Sequence, residues 1–173
     1  MSKRPYTPSY FYLIFSALLI NLFYPYISHG SSPKIILEKI DRDGINRLLE
    51  AGEGPHVIIV MASWCGPCRE ELPALIKLYS KYKPYGLKMV GLSFEFGGCS
   101  TLMELLEKAR VNFPVYWAEH EVLFDYDIPA IPVLLLIKNG KIVAKIVGKR
   151  DEDFLDKKIR SLIGVQNNLG PKR

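Results

Sequence analysis

The chain has 173 residues and 49% hydrophobic content, which suits one domain with an ample core. Its 23 Lys and Arg against 18 Asp and Glu leave a net charge of +5, with no dense basic stripe, which argues against a nucleic-acid partner. Three cysteines are too few for a disulfide framework and suit a reactive pair plus one spare.

Lys3 and Arg4 open an N-terminal segment that contains no acid, and Tyr10 to Ile27 is then an apolar run broken only by Ser16, Asn21 and Pro25. A basic flank ahead of such a run is an export signal. As a helix the run would reach about 27 Å, which just spans a bilayer core. Ser28 and Gly30 sit at the spacing a signal peptidase reads, so residues 1–30 are either a cleaved signal peptide or an uncleaved membrane anchor. Both alternatives place the remainder on the exported side of a membrane, as one domain over 31–164 and a flexible polar tail over 165–173.

After a short linker, Lys34 to Ile40 reads as a first strand, and Asp43 to Ala51 as a helix with Ile45, Leu48 and Leu49 inward and Gly52 as its stop. Val57 to Met61 is a continuous apolar run, the signature of a buried strand. From Gly66 onward, Leu72, Leu75, Ile76 and Tyr79 recur at helical spacing. Between the two lies Trp64-Cys65-Gly66-Pro67-Cys68, so the cysteines sit at a strand-to-helix junction. Unpaired amides and the positive end of the helix dipole favour an anion there, and for cysteine that anion is the thiolate.

Two intervening residues put the cysteines about one helical turn apart, within reach of a disulfide. Cys65, at the helix mouth, is the expected exposed nucleophile, and Cys68, one turn inward, the resolving thiol. Pro67 fits the first turn, where its missing N–H costs nothing. A closed zinc site would need four ligands, and neither Cys99 nor His29, His56 and His120 supplies a second pair, so redox chemistry without metal or cofactor is the better reading. Pro73 falls inside the helix and should kink it. Glu71, three residues after Cys68, lies on the same helical face. It is either a proton partner for the resolving thiol or a solvated acid beside Arg69 and Glu70.

Further on, Leu87 to Phe94 reads as a second central strand, and Thr101 with Glu104 as a capping box opening a helix over Leu102 to Arg110. Cys99, just before that helix, is either a third redox thiol or an incidental loop cysteine. Val115 to Trp117 suggests a short strand and Glu121 to Tyr126 a helical turn. Ile128-Pro129-Ala130-Ile131-Pro132 precedes the apolar run Val133 to Ile137, and a cis Ile131-Pro132 bond would suit a proline at the head of a buried strand. Asn139-Gly140 marks a hairpin into Lys141 to Val147. Asp151 to Ile163 closes as an amphipathic helix with Phe154, Leu155, Ile159, Leu162 and Ile163 inward and Gly164 as its stop.

This order, with WCGPC at 64–68, Pro73 and IPAIPVLLLIKNGKIVAKIVG at 128–148, resembles the thioredoxin superfamily over about residues 35–163. The resemblance implies an α/β thioredoxin-like fold, a central mixed sheet flanked by helices. It implies that Pro132 is a cis-proline facing the cysteine pair, that Trp64, Gly66 and Pro67 border the site, and that the backbone at Ile131 pairs with a substrate strand. CREELP at 68–73 and RVNFPVYW at 110–117 are similar to the TlpA/ResA branch, exported and usually membrane-anchored thiol-disulfide oxidoreductases, several of which reduce apocytochrome c cysteines. That branch has a glutamate at the position of Glu71, which favours the proton-handling alternative. Where thioredoxin itself has a buried aspartate, this chain has Ile59, which leaves Glu71 as the candidate buried carboxylate. Val133 replaces the threonine usual after the cis-proline.

The resemblance therefore implies an exported disulfide reductase acting on protein disulfides and re-reduced by a membrane electron donor. Gly66-Pro67 is similar to the reducing members of the superfamily. Two other readings compete. One is Cu(I) delivery by Cys65 and Cys68 for oxidase assembly, with His120 as the only downstream histidine. The other is a non-catalytic binding domain, which would have no need of both thiols.

Overall fold

Alternation along the apolar run 57–61 decides the architecture. Val57, Ile59 and Met61 enter one buried cluster, and Ile58 and Val60 enter another. A strand buried on both faces must lie at the centre of a covered sheet. In the computed structural model, which describes residues 35–50 and 54–164, that strand is β2 (Pro55–Met61). The expected leader over 1–30 and tail over 165–173 lie outside the described residues. The chain divides into units Met1–Ser32 and Pro33–Arg173, and all of the described residues belong to the second.

The remaining elements are β1 (Leu37–Lys39), α1 (Arg42–Glu50), α2 (Gly66–Tyr82), β3 (Lys88–Glu95), α3 (Ser100–Ala109), β4 (Val115–Glu119), β5 (Val133–Lys138), β6 (Lys141–Val147) and α4 (Glu152–Ile163), with 3-10 turns at Lys83–Tyr85 and His120–Tyr126. The sheet order is β1-β4-β3-β2-β5-β6. The first four strands in that order run parallel, while β5 is antiparallel to β2 and β6 to β5. This is the mixed sheet that the resemblance implied.

Handedness distributes the helices. The steps β2 to β3 and β3 to β4 go the same way across the sheet, so right-handed crossovers place α2 and α3 on one face, and the opposite step from β1 to β2 places α1 on the other. The clusters agree with this. Leu72, Leu75 and Leu78 of α2, Leu102 and Leu106 of α3, and Leu155, Ile159 and Leu162 of α4 pack with Val57 and Ile59. Ile45 of α1 and Leu123 of the second 3-10 turn pack with Ile58 and Val60. Where β3 pairs with the start of β4 the strands are crowded: a Cβ on Gly91 would lie 3.0 Å from Val115 Cγ2, so a side chain there would have to displace the valine. The β5–β6 hairpin turns at Asn139 and Gly140 with φ of 54° and 70°, the left-handed pair that a two-residue type I′ turn requires.

Several sequence expectations need correction. The first strand is only Leu37–Lys39, and β3 runs one residue further than expected, to Glu95. No Thr101–Glu104 capping box opens α3. That helix starts at Ser100 with Cys99 as N-cap and no side-chain cap bond, because the loop enters one residue before the threonine. Phe154 does not point inward. It is 36% exposed, and Arg150 and Lys158 lie over its ring, since the α4 stripe is filled by Leu155, Ile159 and Leu162. Asp151, expected as the first helical residue, is instead the N-cap of α4, its Oδ1 accepting from Phe154 N–H at 2.8 Å. Leu75 is fully buried in the larger cluster, so Leu75→Ala is expected to lower the unfolding free energy by about 2–5 kcal/mol. Asp151→Ala should cost about 1 kcal/mol. Urea titration measures both, and a loss under about 1 kcal/mol for Leu75→Ala would mean that the cluster is not the core.

Candidate active site

The site lies where the parallel strands end. Beyond Met61, the last residue of β2, a turn closes with Cys65 N–H donating to Ala62 O at 3.2 Å, and Cys65 becomes the N-cap of α2 with extended φ and ψ of −83° and 106°. Its Sγ accepts the N–H of Cys68 at 3.2 Å. One of the amides that a helix start leaves without a partner is thereby satisfied by sulfur. Pro67 stands in the first turn, as expected, and is exposed, whereas Gly66 is half-buried.

Cys65 and Cys68 are joined as a disulfide with their Cα atoms 5.3 Å apart. Cys65 was expected to be exposed. In this oxidised state only 5% of it is, because its sulfur is bonded inward to Cys68 and seated against the first turn. Trp64, one residue earlier, projects outward and is 46% exposed.

The register of β2 with β5 brings Pro132 to the same end of the sheet. Val60 pairs with Val133, so Pro132 stands one residue further, beside the end of β2 from which the cysteine turn departs. The Ile131-Pro132 bond is cis, Pro132 is buried, and its carbonyl accepts from Gly148 N–H at 2.8 Å. Ile131 is half-buried between the two clusters.

Glu71 is not the solvated alternative. It is 2% exposed, and its Oε1 accepts the backbone N–H of Arg150 at 2.7 Å, while Oε2 has no hydrogen-bond partner. Burial pushes its carboxyl above the ordinary glutamate value, against a smaller opposing effect of the Arg150 amide and nearby cations. The neighbouring Glu70 takes the surface role, pairing with Lys149.

A second buried carboxylate escaped the sequence reading. Glu95, at the end of β3, accepts three hydrogen bonds: Ser63 N–H at 2.8 Å and Ser93 Oγ–H at 2.5 Å to Oε1, and Ser63 Oγ–H at 2.6 Å to Oε2. All three residues are buried. Ser63 immediately precedes Trp64, so this carboxylate ties the β3 end to the cysteine turn. The available signal was an acid directly following the apolar run 89–94. His120, the residue weighed as a copper ligand, stacks on Phe96 with centroids 4.1 Å apart. Cys99 is unpaired and half-buried. Among the described residues no three His, Cys, Asp or Glu side chains converge as a metal site would require, and no helix is long and apolar enough to cross a membrane.

The AhpC/TSA family matches residues 33–146. The chain is similar to the thiol-disulfide oxidoreductase ResA of Bacillus subtilis (strain 168), 29% identical over 133 residues, which cover 75% of this chain and 73% of that one. It is also similar to the mitochondrial thioredoxin of Mus musculus, 31% identical over 112 residues, which cover 65% of this chain and only about half, 54%, of that relative. Among solved structures, a putative thiol:disulfide interchange protein DsbE from Chlorobium tepidum matches with a TM-score of 0.58 and 28% identity, covering 64% of this chain and 81% of that one. StoA from Bacillus subtilis, at 21% identity and a TM-score of 0.55 over 62% of this chain and 83% of its own, shares the fold.

Because Glu71 holds its proton to higher pH in the folded than in the unfolded chain, the stability it contributes is full below the unfolded value and is lost as pH rises through the folded one. Glu71→Gln keeps an oxygen for the Arg150 amide and cannot ionise. In denaturant titrations of the oxidised protein, the stability difference between variant and wild type is expected to move in favour of the variant between pH 4 and pH 7. Parallel pH profiles would show that the carboxyl titrates normally.

Proposed function

The chain belongs to the AhpC/TSA family of the thioredoxin superfamily and is a thiol-disulfide oxidoreductase of the ResA/DsbE type, and on that premise we propose that it works as an exported reductant of protein disulfides. The observation that carries the reading is the Cys65–Cys68 disulfide at the start of α2, with the Cys65 sulfur held against the Cys68 amide. The same amide and the helix dipole favour a thiolate on reduced Cys65.

In the forward reaction the Cys65 thiolate attacks one sulfur of a client disulfide. The client S–S bond breaks, a mixed disulfide with Cys65 forms, and the departing client sulfur takes a proton. Cys68, as thiolate, then attacks Cys65 Sγ, closing the intramolecular disulfide and releasing the second client thiol. Two electrons pass from the cysteine pair to the client. Glu71 is the group assigned to receive the proton of Cys68. It sits three residues along the same helix with one oxygen idle and a carboxyl that burial has made more basic. Pro132 shapes the docking surface with Trp64, Gly66 and Pro67, and the Ile131 backbone pairs with the client strand.

The oxidised form must be re-reduced, and a dithiol donor in the membrane fits an exported location. That location is supported by the basic flank and apolar run of residues 1–27. Gly66-Pro67 between the cysteines supports the reducing direction. Apocytochrome c, a client of several TlpA/ResA members, is the first protein to assay.

The redox midpoint of the pair in defined thiol buffers is expected near or below about −250 mV, and a value above about −150 mV would make the protein an oxidant instead. Cys65→Ser should abolish turnover, whereas Cys68→Ser should accumulate the mixed disulfide, visible as an added client mass. Reduction of a protein disulfide by Cys65→Ser at the wild-type rate would remove the pair from the mechanism.

A further inference from the structure

Four aromatic rings form a cluster that starts at Trp64, next to Cys65 in the chain, and do not enter either core. Trp64 meets Phe96 at 5.4 Å between centroids and His120 at 5.7 Å, His120 stacks on Phe96 at 4.1 Å, and Phe124 meets His120 edge-on at 5.4 Å. Phe96 is 63% and Phe124 77% exposed, beside the half-exposed Trp64. They come from three separate segments, the cysteine turn, the loop after β3, and the 3-10 turn after β4. The contiguity of the rings is therefore a product of the fold.

The buried carboxylate explains why the first two rings stay together. Ser63 precedes Trp64 and Glu95 precedes Phe96, and the two Ser63–Glu95 hydrogen bonds fix the backbones from which both rings project. Ser93 secures the same carboxylate from within β3. Buried, charge-assisted bonds of this kind hold geometry better than exposed ones.

We propose that this ledge of Trp64, Phe96, His120 and Phe124, held by the Ser63–Glu95 clasp, docks an extended client segment carrying an aromatic side chain two residues from its reactive cysteine. The inference deepens the oxidoreductase reading and rests on it. The ledge is continuous with the reacting sulfur. A client sulfur that reaches Cys65 must bring its flanking residues across Trp64. Along an extended chain, side chains on one face recur about every 6.6 Å, so the side chain two residues from the client cysteine falls beyond the sulfur on the ring cluster that begins at Trp64, whose neighbouring members lie 4.1 to 5.7 Å from one another. Aromatic pairs in such offset or edge-on contact attract beyond simple area burial. A small disulfide such as oxidised glutathione offers no such side chain.

The test uses the reduced full chain and three disulfides: a peptide with Phe two residues from its cysteine, the same peptide with Ser there, and oxidised glutathione. Wild type is expected to reduce the Phe peptide about tenfold faster than the Ser peptide. In Phe96→Ser/Phe124→Ser that ratio should fall towards one, and in Phe124→Ser alone it should fall part of the way. Ile142→Ser, an exposed apolar change on β6, should leave it intact. Glu95→Gln, which turns a donor towards the Ser63 amide, should lower the ratio by about twofold, as a positioning residue would; an unchanged ratio would remove the clasp from the inference. A wild type with no preference, or a double variant that keeps it, overturns the ledge. So does a wild-type dimer in sedimentation that the double variant converts to monomer, since the ledge would then serve a second copy of the chain. A wild type that reduces none of the three disulfides would instead overturn the oxidoreductase reading itself.

Discussion

β2 is buried on both faces along nearly its whole length, and the chain leaves the sheet only where that strand stops. There it must turn directly into a helix, and a helix start carries amides without partners. In most proteins an oxygen from serine or aspartate fills that need. Here a sulfur does, at Cys65, and the rest of the redox end is arranged around that substitution. Cys68 follows one turn inward, the cis-proline arrives on the antiparallel neighbour of the same strand, and the aromatic rings rise from the ends of β2 itself and of the parallel strands β3 and β4. Open α/β sheets present their chemistry at the carboxyl ends of their parallel strands, and this chain follows that rule.

The two buried carboxylates show how one side-chain type is turned to opposite ends by its partners. Glu95 receives three donors and has both oxygens engaged, so it serves as a fixed clasp. Glu71 receives one amide and leaves an oxygen bare. Desolvation then favours its neutral form. A carboxyl with a vacant oxygen inside the fold can exchange a proton; one with every oxygen occupied cannot do so without breaking bonds.

The sequence carried what local rules encode. An unbroken apolar run marked β2, Asn139-Gly140 marked the hairpin through its left-handed geometry, and the cysteine spacing marked the site. What depends on contacts between distant segments was not legible. Glu95 is one acid at a strand end, and only the fold reveals that Ser63, 32 residues away, supplies its donors. Phe124 read as part of a short helical turn just after His120, and the stacking of His120 on Phe96, with Phe124 edge-on to His120, needs the register of β3 with β4. The Thr101–Glu104 pair failed for the opposite reason: its pattern was present, but the loop from β3 enters the helix two positions too early to use it. Glu71 was legible in position and ambiguous in environment, since helical spacing cannot say that the segment after β6 folds back over it.

The outer edge of the sheet carries a different consequence. Among the described residues β6 is paired on one side, against β5, and Ile142, Val143 and Val147 stand exposed along it. A row of open amides and carbonyls beside apolar side chains is a template on which any extended polypeptide can add itself as another strand. For the extended client segments proposed above, that edge is a competing place to bind. The chain guards it with charge and shape. Lys141 and Lys145 are spaced along the strand, Lys145 reaches across to the Asp127 carbonyl, and the register shift opposite Leu136 and Ile137, where Val143 is the extra residue of β6, skews the pairing that a flat intruder would need. Under the proposed function, turnover at Cys65 thus depends on keeping this second place, where an extended chain could bind by backbone alone, closed.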